Sequence, residues 1–175
     1  FKTVVTNRLE NHRLRALFTS DIKTGSVYAE GQFDVVRRDI QPSEFWKNPC
    51  NAQRMQAFVT LESEGGGESV MIATRGLHEY EVLRDGRNTI ALTLLRAIGD
   101  IGDWGVFPSP KGQMKGSYSF EYSMIPYDTD RRDDAYNEGY GYAYPAAVAF
   151  GTDLHSGEFD GESRVLKTDD RYVRV

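Results

Sequence analysis

The sequence predicts an all-β chain folded as an antiparallel β-sandwich, and three observations carry that prediction. Short runs of β-branched and aromatic residues recur along its length. Glycine-containing turn signals separate the runs. Several runs alternate apolar and polar residues with a period of two, which sets one strand face against a core and the other against water.

The chain opens on strand-like FKTVV. HRLRALF places Leu14, Ala16 and Phe18 opposite Arg13, Arg15 and Leu17. QFDVVRR is a short β-branched run, MQAFVTLES is rich in strand formers but alternates poorly, and ESVMIAT is an apolar run of strand length. GLHEYEV, at Gly76–Val82, reads as a strand carrying a histidine and two glutamates. NTIALTLLRAIG is long enough for a helix, but its β-branched residues and the flanking Gly86 and Gly99 favour a buried strand. KGSYSFEYSM is the clearest strand: Tyr118, Phe120, Tyr122 and Met124 share one face, and Pro126 is expected to end it. Turn signals stand at Thr24–Ser26, Glu64–Glu68, Arg84–Asn88 and Ser156–Glu162. The Asp-Gly in RDGRN predicts a type I′ hairpin, whose two central residues need positive φ. DTDRRDDAYNE, at Asp128–Glu138, is the most polar stretch and reads as a surface loop or a short helix.

The 175 residues suit one domain over 1–175. Apolar residues make up 39% and charged residues 27%, a globular composition. A net charge of −5 argues against nucleic acid or anionic membrane as partner, since phosphate recognition needs a basic footprint. No apolar run reaches the ~18 residues of a membrane helix. Cys50 is the single cysteine and reads as a reduced intracellular thiol. The opening FKTVV and the closing DDRYVRV both fall within strand-like pattern, so the chain is expected to be a piece excised from a larger protein.

Chemistry-bearing patterns are sparse. There is no HExxH, HxH or CxxC, and His12, His78 and His155 are far apart. No GxSxG elbow or Walker loop occurs. GYGYAY at Gly139–Tyr144 lacks the remainder of a dinucleotide fingerprint, and Gly65–Gly67 reads as a hairpin tip. Glu79 and Glu81 are two apart in a strand, hence on one face and ~6–7 Å apart by strand rise. Glycosidic cleavage uses a carboxyl pair about 5–10 Å apart, but the ordinary reading is the solvent face of a strand, because nothing nearby in sequence would split their pKa values. Trp104 and Phe107, on the loop GDWGVFPSP, are either loop anchors or faces for sugar stacking.

Taken together, NHRLRALF, EGQFDVVRR, GLHEYEV, IALTLLRAIGDIGDWG, GQMKGSYSFEYSMIPY and LKTDDRYVRV resemble the C-terminal β-domain of bacterial glycoside hydrolase family 38 α-mannosidases, over most of the chain from about Asn11 to Val175. The resemblance implies a sandwich of the galactose-mutarotase-like supersandwich type. It implies a parent enzyme, generally cytoplasmic and often oligomeric, whose zinc ion and aspartate nucleophile sit in an N-terminal catalytic domain. No cofactor or metal is expected in this chain itself, and no catalytic residue. The partners implied are that N-terminal domain, an α-mannoside and further copies of the chain. The resemblance makes Arg75, His78, Glu79, Arg84, Asp103 and Trp104 candidates for the rim of the sugar pocket. Arginine suits that task, with its permanent charge and forked donors. The alternative is a free-standing carbohydrate-binding sandwich using Trp104 and the segment Tyr136–Tyr144. A third reading, mutarotase-like catalysis, lacks the histidine pair and glutamate it would need, and a fold alone does not confer chemistry.

Overall fold

A central sheet that must be covered on both faces organises the chain. The computed structural model describes residues 1–47, 49–102 and 107–147. Its strands are β1 (Lys2–Asn7), β2 (His12–Phe18), β3 (Ser26–Glu30), β4 (Val35–Asp39), β5 (Gln53–Arg54), β6 (Phe58–Glu62), β7 (Glu68–Arg75), β8 (Glu79–Leu83), β9 (Thr89–Ala97), β10 (Asp100–Ile101), β11 (Phe107–Pro108) and β12 (Gly116–Asp128). One α-helix, α1 (Arg132–Ala143), follows β12. All strand pairs are antiparallel. A six-stranded sheet in the order β1-β12-β7-β6-β3-β4 faces a four-stranded sheet in the order β2-β9-β8-β5, and β10-β11 form a small separate ribbon.

The two large sheets bury their facing residues against each other. Val27, Ala29, Val59, Leu61 and Ile72 from the larger sheet form one cluster with Tyr80, Val82, Ile90 and Leu92 from the smaller, and Leu14, Ala16 and Phe18 of β2 pack against it as their alternation predicts. A second cluster lies on the outer face of the larger sheet. There Phe58, Met71, Ala73 and Ile125 are covered by Ala135, Tyr136 and Tyr140 of α1. The polar stretch at Asp128–Glu138 is therefore largely helix, and the antiparallel sandwich carries one helix as a third layer. GYGYAY is the second half of that helix and its exit.

Burial on both faces explains why MQAFVTLES alternates poorly: all five residues of β6 are buried, Val59 and Leu61 toward the sandwich and Phe58, Thr60 and Glu62 toward the helix side. The length ambiguity of NTIALTLLRAIG resolves the same way. β9 is a strand with eight of its nine residues buried.

Two expectations need correction. β12 does not end at Pro126 but runs on to Asp128, with Pro126 opposite Val70 of β7. The amide of Tyr122 points to β1, donating to the Phe1 carbonyl. By alternation the nitrogen of Pro126 faces the same side, beyond the stretch that β1 covers, so the missing N–H breaks no ladder bond. Met124 shares the face of Phe120 and Tyr122 by alternation but is exposed, unlike the buried Tyr122. The Asp-Gly turn is a hairpin, but not of type I′. Its loop spans five residues, with Leu83 paired to Thr89. Positive φ falls on Gly86 (77°) and Asn88 (50°) instead of Asp85. Asp85 works through its side chain, accepting from Arg87 N at 2.9 Å and from Thr89 Oγ1 at 2.6 Å.

The helix approaches the sheet through Gly139. A Cβ built there would lie 2.6 Å from Met71 Sδ and 2.9 Å from Phe58 Cδ1, whereas one built at Gly141 meets nothing within 4 Å. Gly139→Ala should therefore destabilise the chain by about 1–3 kcal/mol through overpacking. Gly141→Ala should stabilise it by up to ~1 kcal/mol through helix propensity. The two urea midpoints, read against wild type, check both signs.

Candidate functional site

The connection from β7 to β8 positions three of the candidate side chains. Gly76 takes φ 73° at the turn. Leu77 is buried and its carbonyl accepts from Thr74 Oγ1 at 2.9 Å, while the His78 carbonyl accepts from Met55 N at 3.0 Å. The His78 side chain is exposed. Arg75, the last residue of β7, donates through Nε to the Tyr142 carbonyl at 2.8 Å and through Nη1 to Glu121 Oε2 at 2.9 Å. Its guanidinium also sits 4.6 Å from the centre of the Tyr142 ring, so it ties the helix end to the sheet.

Tyr80 and Val82 enter the core, which puts Glu79 and Glu81 together on the outer face of the four-stranded sheet. They lie in an ionic lattice across three strands. Glu79 receives Thr93 Oγ1 at 2.7 Å, Arg96 Nη1 at 2.9 Å and Arg13 Nη1 at 3.4 Å. Glu81 receives Arg15 Nη1 at 2.7 Å and Arg13 Nη2 at 3.4 Å. Burial alone would raise the pKa of Glu79. The Thr93 hydrogen bond and the Arg96 and Arg13 charges outweigh it and hold the carboxyl below its ordinary value. A general acid needs the opposite shift.

Arg84 lies at the far end of β8, about 17 Å along the strand from Glu79, where its Nη1 donates to Gln41 Oε1 at 3.2 Å. Asp103 and Trp104 lie outside the described residues, as do His155 and the closing LKTDDRYVRV. The β10-β11 ribbon that flanks Asp103 and Trp104 leaves the end of β9, where Ala97 pairs with His12. The antiparallel register of β8 and β9 puts that end on the same side of the sheet as the start of β8, with Tyr80 opposite Leu92. A shallow cleft of about 520 Å³ opens there, lined by Asn11, His12, Arg13, Arg96, Gly99 and Asp100. Within it the buried His12 Nδ1 has no hydrogen-bond partner among the described residues. Arg75, His78 and Glu79 thus share one end of the sandwich, and Arg84 is at the other.

A polar cluster invisible in the sequence lies under α1. Glu62 is 4% exposed. It accepts from both Nε and Nη2 of Arg132, from Tyr127 Oη at 2.8 Å and from Tyr136 Oη at 3.4 Å. Arg132 in turn lies 5.5 Å over the Tyr28 ring. Burial pushes the Tyr127 and Tyr136 hydroxyls up, reinforced by the Glu62 charge, and the Glu62 hydrogen bonds push Arg132 up. Glu30 is buried on the same side of the sheet, where its Oε2 accepts from Ala57 N at 2.7 Å. Burial raises its pKa. The one signal in the sequence was a carboxylate inside the apolar run FVTLE, which requires a partner somewhere.

Among the described residues no three His, Cys, Asp or Glu side chains converge as a metal set. Among them, too, no helix is long and apolar enough to cross a membrane.

An antiparallel β-sandwich with an ion-paired outer face is a scaffold class, and the relatives narrow it. No family model matches the chain. It is 38% identical over 126 residues to the Halalkalibacterium halodurans protein named "Putative mannosylglycerate hydrolase", covering 72% of this chain and 14% of that one. It superposes on an α-mannosidase from Enterococcus faecalis V583 with a TM-score of 0.74 at 38% identity, covering 82% of this chain and 16% of the other. It superposes on a glycosyl hydrolase family 38 protein from Enterococcus faecalis with a TM-score of 0.73 at 34% identity, covering 90% and 18%. The chain is therefore similar to the β-sandwich part of glycoside hydrolase family 38 proteins, as its motifs indicate, and it spans less than a fifth of their length.

Opposite pH signatures should separate the half-buried Glu79 from the buried Glu30. Glu79 has a lowered folded-state pKa, so its stabilisation is present above the unfolded value of 4.5 and is lost as pH falls through the folded one. Glu79→Gln should cost about 1 kcal/mol at pH 7, with the gap closing in acid. Glu30 has a raised pKa, so its charge destabilises the native state at neutral pH and protonation relieves this. Glu30→Gln should be the more stable at pH 7, its advantage vanishing below the unfolded value. Urea unfolding of both variants across this range checks the signs.

Proposed function

We propose that this chain is a non-catalytic C-terminal β-sandwich domain of an α-mannosidase, supplying scaffold, interdomain contacts and part of the rim of the sugar pocket. One observation carries the reading most of the way: the likeness to a solved α-mannosidase extends over 82% of this chain but takes up 16% of that enzyme. The lattice around Glu79 and Glu81 supports it, because their candidate acid pair is committed to arginines. In this reading the partner is an N-terminal catalytic domain that holds zinc and the nucleophile, the substrate of the whole protein is a terminal α-mannoside, and the compartment is the cytoplasm. In this reading Arg75 and His78 belong to the pocket rim, and what supports it is that they lie at the end of the sandwich that also carries the 520 Å³ cleft. Arg75 uses Nε and Nη1 within the domain, which leaves Nη2 for a substrate hydroxyl.

The free-standing binding module is less well supported, since Tyr136 and Tyr140 of its expected platform pack against Phe58, tilted and edge-on, with centroids 4.9 and 5.2 Å away. The test is direct. The purified 175-residue chain should give no hydrolysis of 4-nitrophenyl α-D-mannopyranoside above a buffer blank, with or without added zinc. Turnover that is abolished by changing a residue of this chain would overturn the reading.

A further inference from the structure

The outer face of the six-stranded sheet is not covered uniformly. Among the described residues helix α1 lies mainly over β7, β12 and β6, and it reaches β3 through Arg132 over Tyr28 and β4 through Val35. The result is a cleft of about 450 Å³ between the flank of the helix and the β3-β4 hairpin, a size within the range of small-molecule sites. Its floor is Tyr28 and Val35. Arg132, Asn137 and Tyr140 form one wall, and Phe33 and Asp34 the other.

Phe33 is the anomaly. Its side chain is 105% exposed and its backbone sits at φ 72°. A bulky residue gains nothing from either condition, and each is unfavourable. The hairpin around it is well made: Gly31 N donates to the Asp34 carbonyl at 2.9 Å and Val35 N to Asp34 Oδ1 at 2.7 Å. An ordered turn thus holds an aromatic face in water at the lip of a concave site.

The lining says what would sit there. Arg132 is the cationic side chain of the cleft, and its charge is matched by Glu62 beneath it. Asp134 is paired with Arg131, and with Arg132 matched by Glu62 the acidic Asp34 and Asp133 leave the lining net negative, which repels anionic ligands and favours groups that bring hydroxyl donors. Asn137 is exposed on the wall and offers both a donor and an acceptor. An aromatic face for ring C–H groups, beside carboxylate and amide oxygens for hydroxyls, fits a sugar. We propose that this cleft binds a neutral pyranose ring, with Phe33 as the stacking platform and Asn137 and Asp34 as hydroxyl partners. The proposal is independent of the domain's place in a mannosidase, since the cleft shares no residue with the end bearing Arg75 and His78. An apolar protein partner fits less well, because the charged groups of the walls would lose water without compensation.

The test is a ¹H–¹⁵N chemical-shift titration of the 175-residue chain with methyl α-D-mannopyranoside, and with the matching glucoside and galactoside. At least one glycoside should shift amides in 28–36 and 132–140 saturably. Phe33→Ala should weaken that binding about tenfold or more, Asn137→Ala should weaken it too, and Phe45→Ala, on a different exposed loop, should not. Phe33→Gly should lose binding while raising the urea midpoint, because strain is relieved and no packing is lost. Three results would overturn the proposal: no shift with any of the three glycosides, shifts that survive Phe33→Ala, or a self-association of the chain that Phe33→Ala abolishes, which would make the ring a protein contact.

Discussion

The structure depends on one requirement: the central strands of the six-stranded sheet have to be dry on both faces. β6 has no residue left for water, and two of its five are Thr60 and Glu62. The inner face is satisfied by the second sheet. The outer face needs a cover that brings its own polar partners, and α1 does so. Its Arg132 meets Glu62 with two donors, its Tyr136 adds a third, and Tyr127 of β12 bonds both Glu62 and Thr60. An unpaired carboxylate at this depth would cost several kcal/mol, so the position and direction of the helix follow from the strand it covers. Gly139 then sets how close the helix can come.

The same arrangement decides what the conspicuous residues can do. Among the described residues the outer face of the four-stranded sheet carries no covering layer, and its charges satisfy one another instead. Arg13, Arg15 and Arg96 bracket Glu79 and Glu81, and against the burial that would raise it the Thr93 hydrogen bond and the Arg96 and Arg13 charges lower the pKa of Glu79. Among the described residues the concave places lie at the margins: the end of the sandwich with His12, and the cleft between α1 and the β3-β4 hairpin. A domain that makes up less than a fifth of its family 38 relatives would act through such margins.

Much of this was legible in the sequence where a strand has one wet face. Leu14, Ala16 and Phe18, Tyr80 and Val82, and Phe120 and Tyr122 alternate because the other side of each strand meets water or charge. Alternation fails in β6 and β9 because both faces are buried, and there length and β-branching had to decide. Pro126 misled because its place in the sheet, beyond the reach of β1, is a tertiary fact. The Asp-Gly turn misled because the Asp85 carboxylate stabilises a longer loop. Glu62 and Arg132 are 70 residues apart, and no local pattern links them. Phe33 gave no signal at all: an aromatic in a short polar turn looks ordinary until its φ and its exposure are known.

Native-state hydrogen exchange tests the central claim, that α1 is an obligatory layer rather than an appendage. If the helix and the dry sheet form one unit, the amides of Val59–Leu61, Met71–Ala73 and the Ala135–Tyr140 stretch of α1 exchange with a common free energy equal to that of global unfolding. If the α1 amides exchange through a separate, low-energy opening while β6 and β7 stay protected, the sheet does not need the helix and the account is wrong.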